Sequence, residues 1–597
     1  MGPDMVTALW SAIEKGMETV TGGKSDTAPS YSSLSSSSPP PRSPPPLEAA
    51  SVSCLLKYWH GAAVLAVENP PDSDPNNGPQ GRVMSRICMA VAALKPPALW
   101  RLMHSAKEDY TPALFSSRLV KPMVAHFGAR LPLHLDKGGG YSTTARLLKW
   151  LRSINELEAP PKIPYQDFFC ETISSVAVES LLQDLYRWKH ETPAGRKIRF
   201  YLSEQAFLIP TGAKKALLQA EAAMEQRKAA GGVRFIPGVG LVVTPYLVLQ
   251  INRANLLQET LAQVSQVPDI NLRKKLKVVF RGEEGVDEGG VTKEFFQLLI
   301  VQLFDQSFGM FVPAGVEGRS LWFNKDCVWA AEEYGLVGLL VGLAVYSGVI
   351  LDVPLPLVVF KKVLGQQLAV QDLGDVDPDL LQGLQKLRDY AGGDDEDVFG
   401  VDFRVTWDDL GVQRTHDLKE NGADIPVTAS NKKEYVERYA NFLLVESVSH
   451  QFAHFKQGFM RVMSGAASIP LLRAEELDVL VTGTPELDFG ELAKATQYFG
   501  GFRADHPTIM AFWWAVEDMP PEEQRRLLMF VTGSKKAPLG GLGKLSFKIQ
   551  RAGPDTDHLP TSHTCFNVLM LPEYEGEEKL ARLLKRAITE CEGFGLK

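Results

Sequence analysis

Leu559-Pro-Thr-Ser-His-Thr-Cys-Phe-Asn-Val-Leu-Met-Leu-Pro-Glu-Tyr574 sets one cysteine, Cys565, where a polar loop meets an apolar run. Pro560 and Pro572 bracket the segment, and Cys-Phe-Asn-Val-Leu-Met-Leu571 reads as a buried strand that begins at the thiol. A strand entered from a proline-limited loop holds its first side chain in a defined place. A transferring thiol needs that, because it must meet an electrophile at attack distance. His563 and Thr564 precede it directly. An imidazole can help form the thiolate, and a hydroxyl can donate to a developing oxyanion. These local residues fit an inert core cysteine as well as a nucleophile.

The chain around it has 597 residues, too many for a single core, and about two to four domains are expected. Apolar content of 45% and charged content of 22% are those of a globular protein. A net charge of −8 leaves no basic footprint for nucleic acid. The six cysteines, Cys54, Cys88, Cys170, Cys327, Cys565 and Cys591, are scattered and form no CxxC pair. That spacing speaks against a zinc site or a secreted disulfide framework and for a reducing compartment. No cofactor is implied. The stretch Met5–Glu14 lacks the basic start of a secretory signal. Tyr334 to Leu351 runs without a charge, but its repeated glycines and missing basic flank predict a buried core helix rather than a membrane span.

Along the chain, residues 1–50 read as a disordered arm, Ser/Pro-rich from about residue 22. Residues 51–244 read as a mostly helical scaffold or substrate-binding region. Leu99, Leu102 and Met103 show helical spacing there, Ala145 to Leu157 continues it, and no catalytic constellation stands out. Lys275-Leu-Lys-Val-Val-Phe-Arg281 alternates as a strand. Val291 to Asp305 and Asn431 to Met463 read as amphipathic helices. The paired glycines Gly500 and Gly501 suggest a joint before a small last domain. That domain closes with a helix whose apolar face is Leu580, Leu583, Leu584, Ala587 and Ile588.

The segment around Cys565 closely resembles the catalytic segment of HECT-type ubiquitin-protein ligases. Phe280-Arg-Gly-Glu-Glu-Gly-Val-Asp-Glu-Gly-Gly-Val-Thr-Lys-Glu-Phe-Phe296 is similar to the start of that family's N-lobe. Asp417-Leu-Lys-Glu-Asn-Gly-Ala-Asp-Ile-Pro426 resembles its middle. Glu523–Gly533 and Pro538–Gly543 resemble its C-lobe. These matches are collinear from about Pro245 to Lys597 and look most like the Angelman-type branch, without the cysteines of that branch's amino-terminal zinc finger.

The resemblance implies an α+β, bilobal HECT domain: a mainly helical N-lobe over 245–497 that binds the ubiquitin-conjugating enzyme, and a smaller α+β C-lobe over 498–597. It implies ubiquitin taken from the conjugating enzyme as a thioester on Cys565 and passed to lysines of protein substrates, in support of ubiquitin-dependent degradation. Phe594, fourth from the end, takes the place of a phenylalanine that assists lysine transfer in the family. The conjugating-enzyme groove maps to Leu380, Leu384, Tyr390, Val401, Tyr435 and Tyr439. A mobile hinge is expected near Thr496 to Gly501. Asp555 and Asp557 are candidates for orienting the lysine, although an exposed turn explains them equally well. The location implied is cytoplasmic, with the nucleus as a second. Two other classes stand beside this one: a non-catalytic scaffold for ubiquitin or its conjugating enzyme, and a cysteine protease, for which no partner His/Asn signature stands out.

Overall fold

The computed structural model describes residues 110–131, 142–157, 160–230, 233–236, 240–243, 245–283, 290–327, 331–391, 399–409, 411–564 and 566–590. The expected arm over 1–50 and the helix through Leu99, Leu102 and Met103 lie outside them. The chain divides into two compact units, one ending at Leu217 and the other beginning at Leu218.

In the first unit the helices α1 (Lys121–Arg130), α2 (Ser142–Asn155) and α3 (Val178–His190) alternate with 3-10 turns. The spacing seen at Ala145 matures into α2, which buries Ala145, Leu147, Leu148, Leu151 and Ile154. Polar side chains tie down the loops. The Asn155 amide exchanges two hydrogen bonds of 2.9 Å with the Ile163 backbone. Asp184 accepts from the Leu202 and Ser203 amides at 3.1 and 2.8 Å.

Helix α4 (Thr211–Ala230) carries the boundary between the units. Its Leu218 and Ala222 belong to the core of the second unit, which therefore begins ahead of the predicted residue 245. Glu221, almost fully buried, receives the Ala467 and Ser468 amides at 2.9 Å each. A buried carboxylate on this helix is thus satisfied by a distant loop.

The second unit is an α+β structure with two separate cores. A short antiparallel hairpin, β1 (Val233–Ile236) and β2 (Gly240–Val243), comes first. Then β3 (Tyr246–Ile251) pairs in parallel with β4 (Lys275–Phe280) across helix α5 (Leu256–Ser265). The alternation read in β4 is real: Leu276, Val278 and Phe280 point into the core. Helix α6 (Gly290–Leu303) leads to an antiparallel hairpin, β5 (Phe311–Ala314) and β6 (Ser320–Phe323).

The uncharged run becomes α7 (Ala331–Ser347), the centre of the larger core. Among the described residues no helix is long and apolar enough to cross a membrane. Around α7 are arranged α8 (Leu357–Val363), α9 (Pro378–Asp389), the hairpin of β7 (Arg404–Asp409) and β8 (Val412–Asp417), α10 (Lys432–Asn441), α11 (Ser449–Met463) and α12 (Ala474–Thr482). The single helix expected over Asn431 to Met463 is in fact two, α10 and α11, joined through a π-turn at Phe442–Glu446. A π-turn inserts a residue into the helical ladder. The Leu444 carbonyl in this turn accepts from the Lys362 ammonium, which burial pushes down to about 8.

The smaller core holds α13 (Phe489–Ala495), β9 (Gln497–Phe499), α14 (Pro507–Glu517), α15 (Pro521–Thr532), β10 (Lys548–Arg551), β11 (Thr561–His563), β12 (Val568–Leu571) and α16 (Glu577–Glu590). The strands form one sheet in the order β11-β12-β10-β9, with β10 parallel to both neighbours and β11 antiparallel to β12. Helix α16 buries Leu580, Leu583, Leu584, Ala587 and Ile588, as its spacing predicts.

The joint is not where the paired glycines suggested. Leu492 is core of the smaller lobe, Leu487 and Phe489 pack on it, and Gln497–Phe499 is a strand of its sheet. Gly500 and Gly501 (φ 71° and 98°) make the turn leaving that strand. The larger core ends at Val481, so the lobes are linked by 482–486. There Gly483 caps α12 at φ 76°, and Thr484 exchanges backbone hydrogen bonds of 2.8 and 2.9 Å with Ala537.

Helices α7 and α11 approach at glycines. A Cβ on Gly338 would lie 2.7 Å from the Phe455 carbonyl carbon, and one on Gly458 at the same distance from that of Gly335. Exchange of a helical glycine for alanine ordinarily stabilises by up to about 1 kcal/mol. Gly338→Ala should instead destabilise by about 2 kcal/mol or more, because two backbones must move apart. A lowered urea midpoint with unchanged slope is the expected reading, and a raised midpoint would contradict the close approach.

Candidate functional site

The segment around Cys565 is a hairpin, not a loop running into one strand. Thr561-Ser-His563 is itself a strand, β11, paired with β12 in the register Thr561↔Met570, Ser562↔Leu569, His563↔Val568. The apolar strand begins at Val568, so the strand expected from residue 565 starts three residues later. The intervening residues are a tight turn, with the Phe566 amide on the His563 carbonyl at 3.1 Å and the Asn567 amide on the Thr564 carbonyl at 3.4 Å. Asn567 closes it at φ 52°, a left-handed conformation that asparagine tolerates. Cys565 occupies the turn in sequence but lies outside the described residues, as does Phe594.

The turn is held from two sides within the C-lobe. The Lys548 amide donates to the Asn567 carbonyl at 2.9 Å. The Ser562 hydroxyl donates to the Phe530 carbonyl of α15 at 2.5 Å. His563 is exposed and Thr564 half-buried, while Phe566 stands 47% exposed beside them. The imidazole and hydroxyl expected near the thiol are thus on the same turn, next to it in sequence. Asp555 and Asp557 are engaged otherwise. The Lys579 ammonium of α16 reaches Asp555 at 2.9 and 3.0 Å and Asp557 at 3.1 Å. This ion pair, with the Glu575 amide behind it, holds the Asp555 carboxyl below its ordinary value.

The groove candidates come together on α9, α10 and the segment between them. Leu384 and Tyr435 are buried at 4% and 5%, Leu380 and Tyr439 are half-buried, and Tyr390 and Val401 are exposed at 42% and 40%. Aromatic edges lock the set: Tyr435 meets Phe403 at 5.4 Å and Tyr439 at 5.7 Å between centroids, and Tyr390 meets Phe399 at 5.3 Å. Burial pushes the Tyr435 hydroxyl up to about 12 and raises that of Tyr439. Leu384 and Tyr435 are therefore interior residues of this set, and Tyr390 and Val401 its accessible ones. Phe399 packs on the core.

The N-lobe signature has a physical role that its residue types conceal. Arg253, after β3, lies 3.9 Å from the Phe280 ring centroid and is gripped by Glu283 and by Glu294 of α6. Its guanidinium is pushed up by these carboxylates, and Glu283 is pulled down by it. Phe295 and Phe296 fill the core beneath. The outer residues of α6 reach the other lobe: Lys293 Nζ is 3.5 Å from Asn567 Oδ1, and Gln297 Nε2 donates to the Gly533 carbonyl at the end of α15. Sequence reading had no reason to single out Arg253, Lys293 or Gln297, since polar residues on a helix surface ordinarily face water. Among the described residues no group of three or more His, Cys, Asp or Glu side chains could hold a metal ion.

Residues 297–597 match the family model of the HECT domain, a ubiquitin transferase. The probable E3 ubiquitin-protein ligase HECTD2 of Mus musculus is 36% identical over 475 residues, covering 76% of this chain and 60% of that protein. The probable E3 ubiquitin-protein ligase HERC4 of Homo sapiens is 33% identical over 471 residues, covering 76% and 44%. The probable E3 ubiquitin-protein ligase mug30 of Schizosaccharomyces pombe is 32% identical over 463 residues, covering 73% and 56%. The chain thus spans 60% of the length of the first of these relatives and less of the others.

The Asp555–Lys579 pair predicts a pH response. A carboxyl held below its ordinary value of 3.8 contributes stability that is complete above that value and is lost as pH falls through the lowered one. Lys579→Met should return the Asp555 titration towards 3.8 in a carboxyl NMR experiment, and an unmoved titration would contradict the pairing.

Proposed function

The chain belongs to the HECT family of ubiquitin transferases, and from that premise we propose that it carries ubiquitin on Cys565 between a ubiquitin-conjugating enzyme and the lysines of protein substrates. The observation that carries this is the family match over residues 297–597, which takes in both the groove and the Cys565 hairpin.

In the first step the Cys565 thiolate attacks the carbonyl of the donor thioester. The conjugating enzyme's cysteine leaves as its own thiolate, and ubiquitin is held on Cys565. Thioester replaces thioester, so the step is nearly balanced in energy and depends on positioning. In the second step a neutral substrate amine attacks the Cys565 thioester. An isopeptide bond forms, Cys565 leaves as thiolate, and the amine proton passes to water or a nearby base. The Thr564 hydroxyl can donate to the oxyanion of either step, and His563 can accept or release a proton at the turn. Phe594 assists the second step.

The donor enzyme sits at the rim of Tyr390 and Val401, above a floor of Leu380, Leu384, Tyr435 and Tyr439. Burial of the floor residues supports a preformed groove, since their rings are already interlocked. The linker at 482–486, in place of the glycine pair, supplies the movement that lets one thiol meet two partners. The region before Leu218 is available for substrate selection.

The test combines activating enzyme, conjugating enzyme and ubiquitin with the full chain. Wild type should form a ubiquitin adduct that dithiothreitol removes, and Cys565→Ala should form none. A wild type without adduct, as a non-catalytic scaffold would give, or an equal adduct on Cys565→Ala, overturns the reading. Phe594→Ala should slow discharge onto lysine by more than it slows loading, in single-turnover assays of each step.

A further inference from the structure

On the transfer chemistry set out above, we propose that Lys293 and Gln297 of α6 are positioning residues for the second step. They clasp the Cys565 hairpin to the N-lobe while ubiquitin passes to lysine. The two residues are one helical turn apart and lie on one face of α6. Lys293 Nζ reaches Asn567 Oδ1 at 3.5 Å, and Asn567 closes the turn at φ 52°. Gln297 reaches the carbonyl of Gly533, the left-handed cap of α15 at φ 75°. That helix carries Phe530, whose carbonyl takes the Ser562 hydroxyl of β11. One helix face therefore touches the hairpin twice, directly through Asn567 and indirectly through α15.

The contact is close enough to be specific. A Cβ at Gly533 would overlap the Gln297 amide, with Gln297 Cδ only 3.0 Å away. The absence of a side chain at 533 lets α6 approach. Helix α6 is itself anchored through Glu294 to Arg253, and through Arg253 to Glu283, so the clasp is fixed to the N-lobe frame.

The clasp engages α6, whereas the donor groove is built on α9 and α10. Loading therefore does not require the clasp, and a clasped hairpin must be released to reach a donor at the groove. Discharge benefits from it, because a hairpin held on the N-lobe presents its thioester in one orientation to an incoming amine. A cation over the Asn567 side chain also adds a fixed charge beside the turn where the oxyanion develops.

The experiment measures loading and discharge separately in single turnovers of the full chain. With Lys293→Met and Gln297→Ala combined, loading should be unchanged or faster, and discharge onto free lysine should fall about tenfold, the effect of two modest hydrogen bonds. Lys293→Arg should retain discharge, because it keeps the cation. Gly533→Ala should slow discharge in the wild-type background and cost less when Gln297→Ala has already removed the overlapping amide. That rescue separates a clasp from general damage to the lobe. Unaltered discharge in the double variant, or loading and discharge falling together, overturns the clasp. A wild type that forms no adduct at all would refute the transfer reading instead.

Discussion

Everything in the N-lobe is arranged around the apposition of α7 and α11, whose backbones come together at Gly335, Gly338 and Gly458. Beyond Glu332 and Glu333 in its first turn, helix α7 is apolar on every face, so it must be surrounded. Each buried aliphatic side chain contributes about 1.5–3 kcal/mol, and Val337, Leu340, Val341, Leu343 and Ala344 are all at or near zero exposure. Helix α11 covers one side with Phe455, Phe459 and Val462, spaced for a single stripe. The glycines let this stripe sit against the backbone rather than beside it. Because α11 follows α10 through the π-turn, placing α11 also places Tyr435 and Tyr439, and with them the candidate groove.

A second constraint is polar. The Arg253 guanidinium gathers one carboxylate from the segment after β4 and one from α6, while its flat face lies on Phe280. Planar charge delocalisation suits arginine to both contacts at once. The cation is part-exposed, so its worth lies in geometry more than in Coulomb energy. It sets the direction of α6 and thereby aims Lys293 and Gln297 at the opposite lobe.

Much of this was legible in the sequence. The alternation of β4, the apolar face of α16 and the core character of α7 follow from side-chain periodicity, which burial enforces directly. The elements missed were those decided by distant partners. Thr561-Ser-His563 is too short and polar to read as a strand, and becomes one only because β12 offers it a ladder. The break between α10 and α11 rests on a π-turn whose Leu444 carbonyl is taken by Lys362, eighty-two positions away. Gly500 and Gly501 suggest a joint because glycine permits movement. They serve instead a turn that needs positive φ. The groove candidates came from the family resemblance alone, which could not rank them: Leu384 is buried and Tyr390 exposed.

The division into two cores bears on the proposed transfer, in which one thiol serves two partners. Leu477 and Val481 close the larger core, Leu492 opens the smaller, and neither core contains buried residues of the other. Among the described residues, polar contacts between the lobes include Gln297 on Gly533, Lys293 on Asn567 and a Lys536–Asp352 pair at 4.0 Å. Hydrogen bonds of this kind contribute about 0.5–1.5 kcal/mol each, because water replaces them when they part. Breaking the two made by α6 costs far less than exposing either apolar core, which supports the proposed movement of the smaller lobe about 482–486. On that proposal the hairpin, held by the Lys548 amide and the Ser562 hydroxyl, moves with its lobe, and only the lobe's orientation changes.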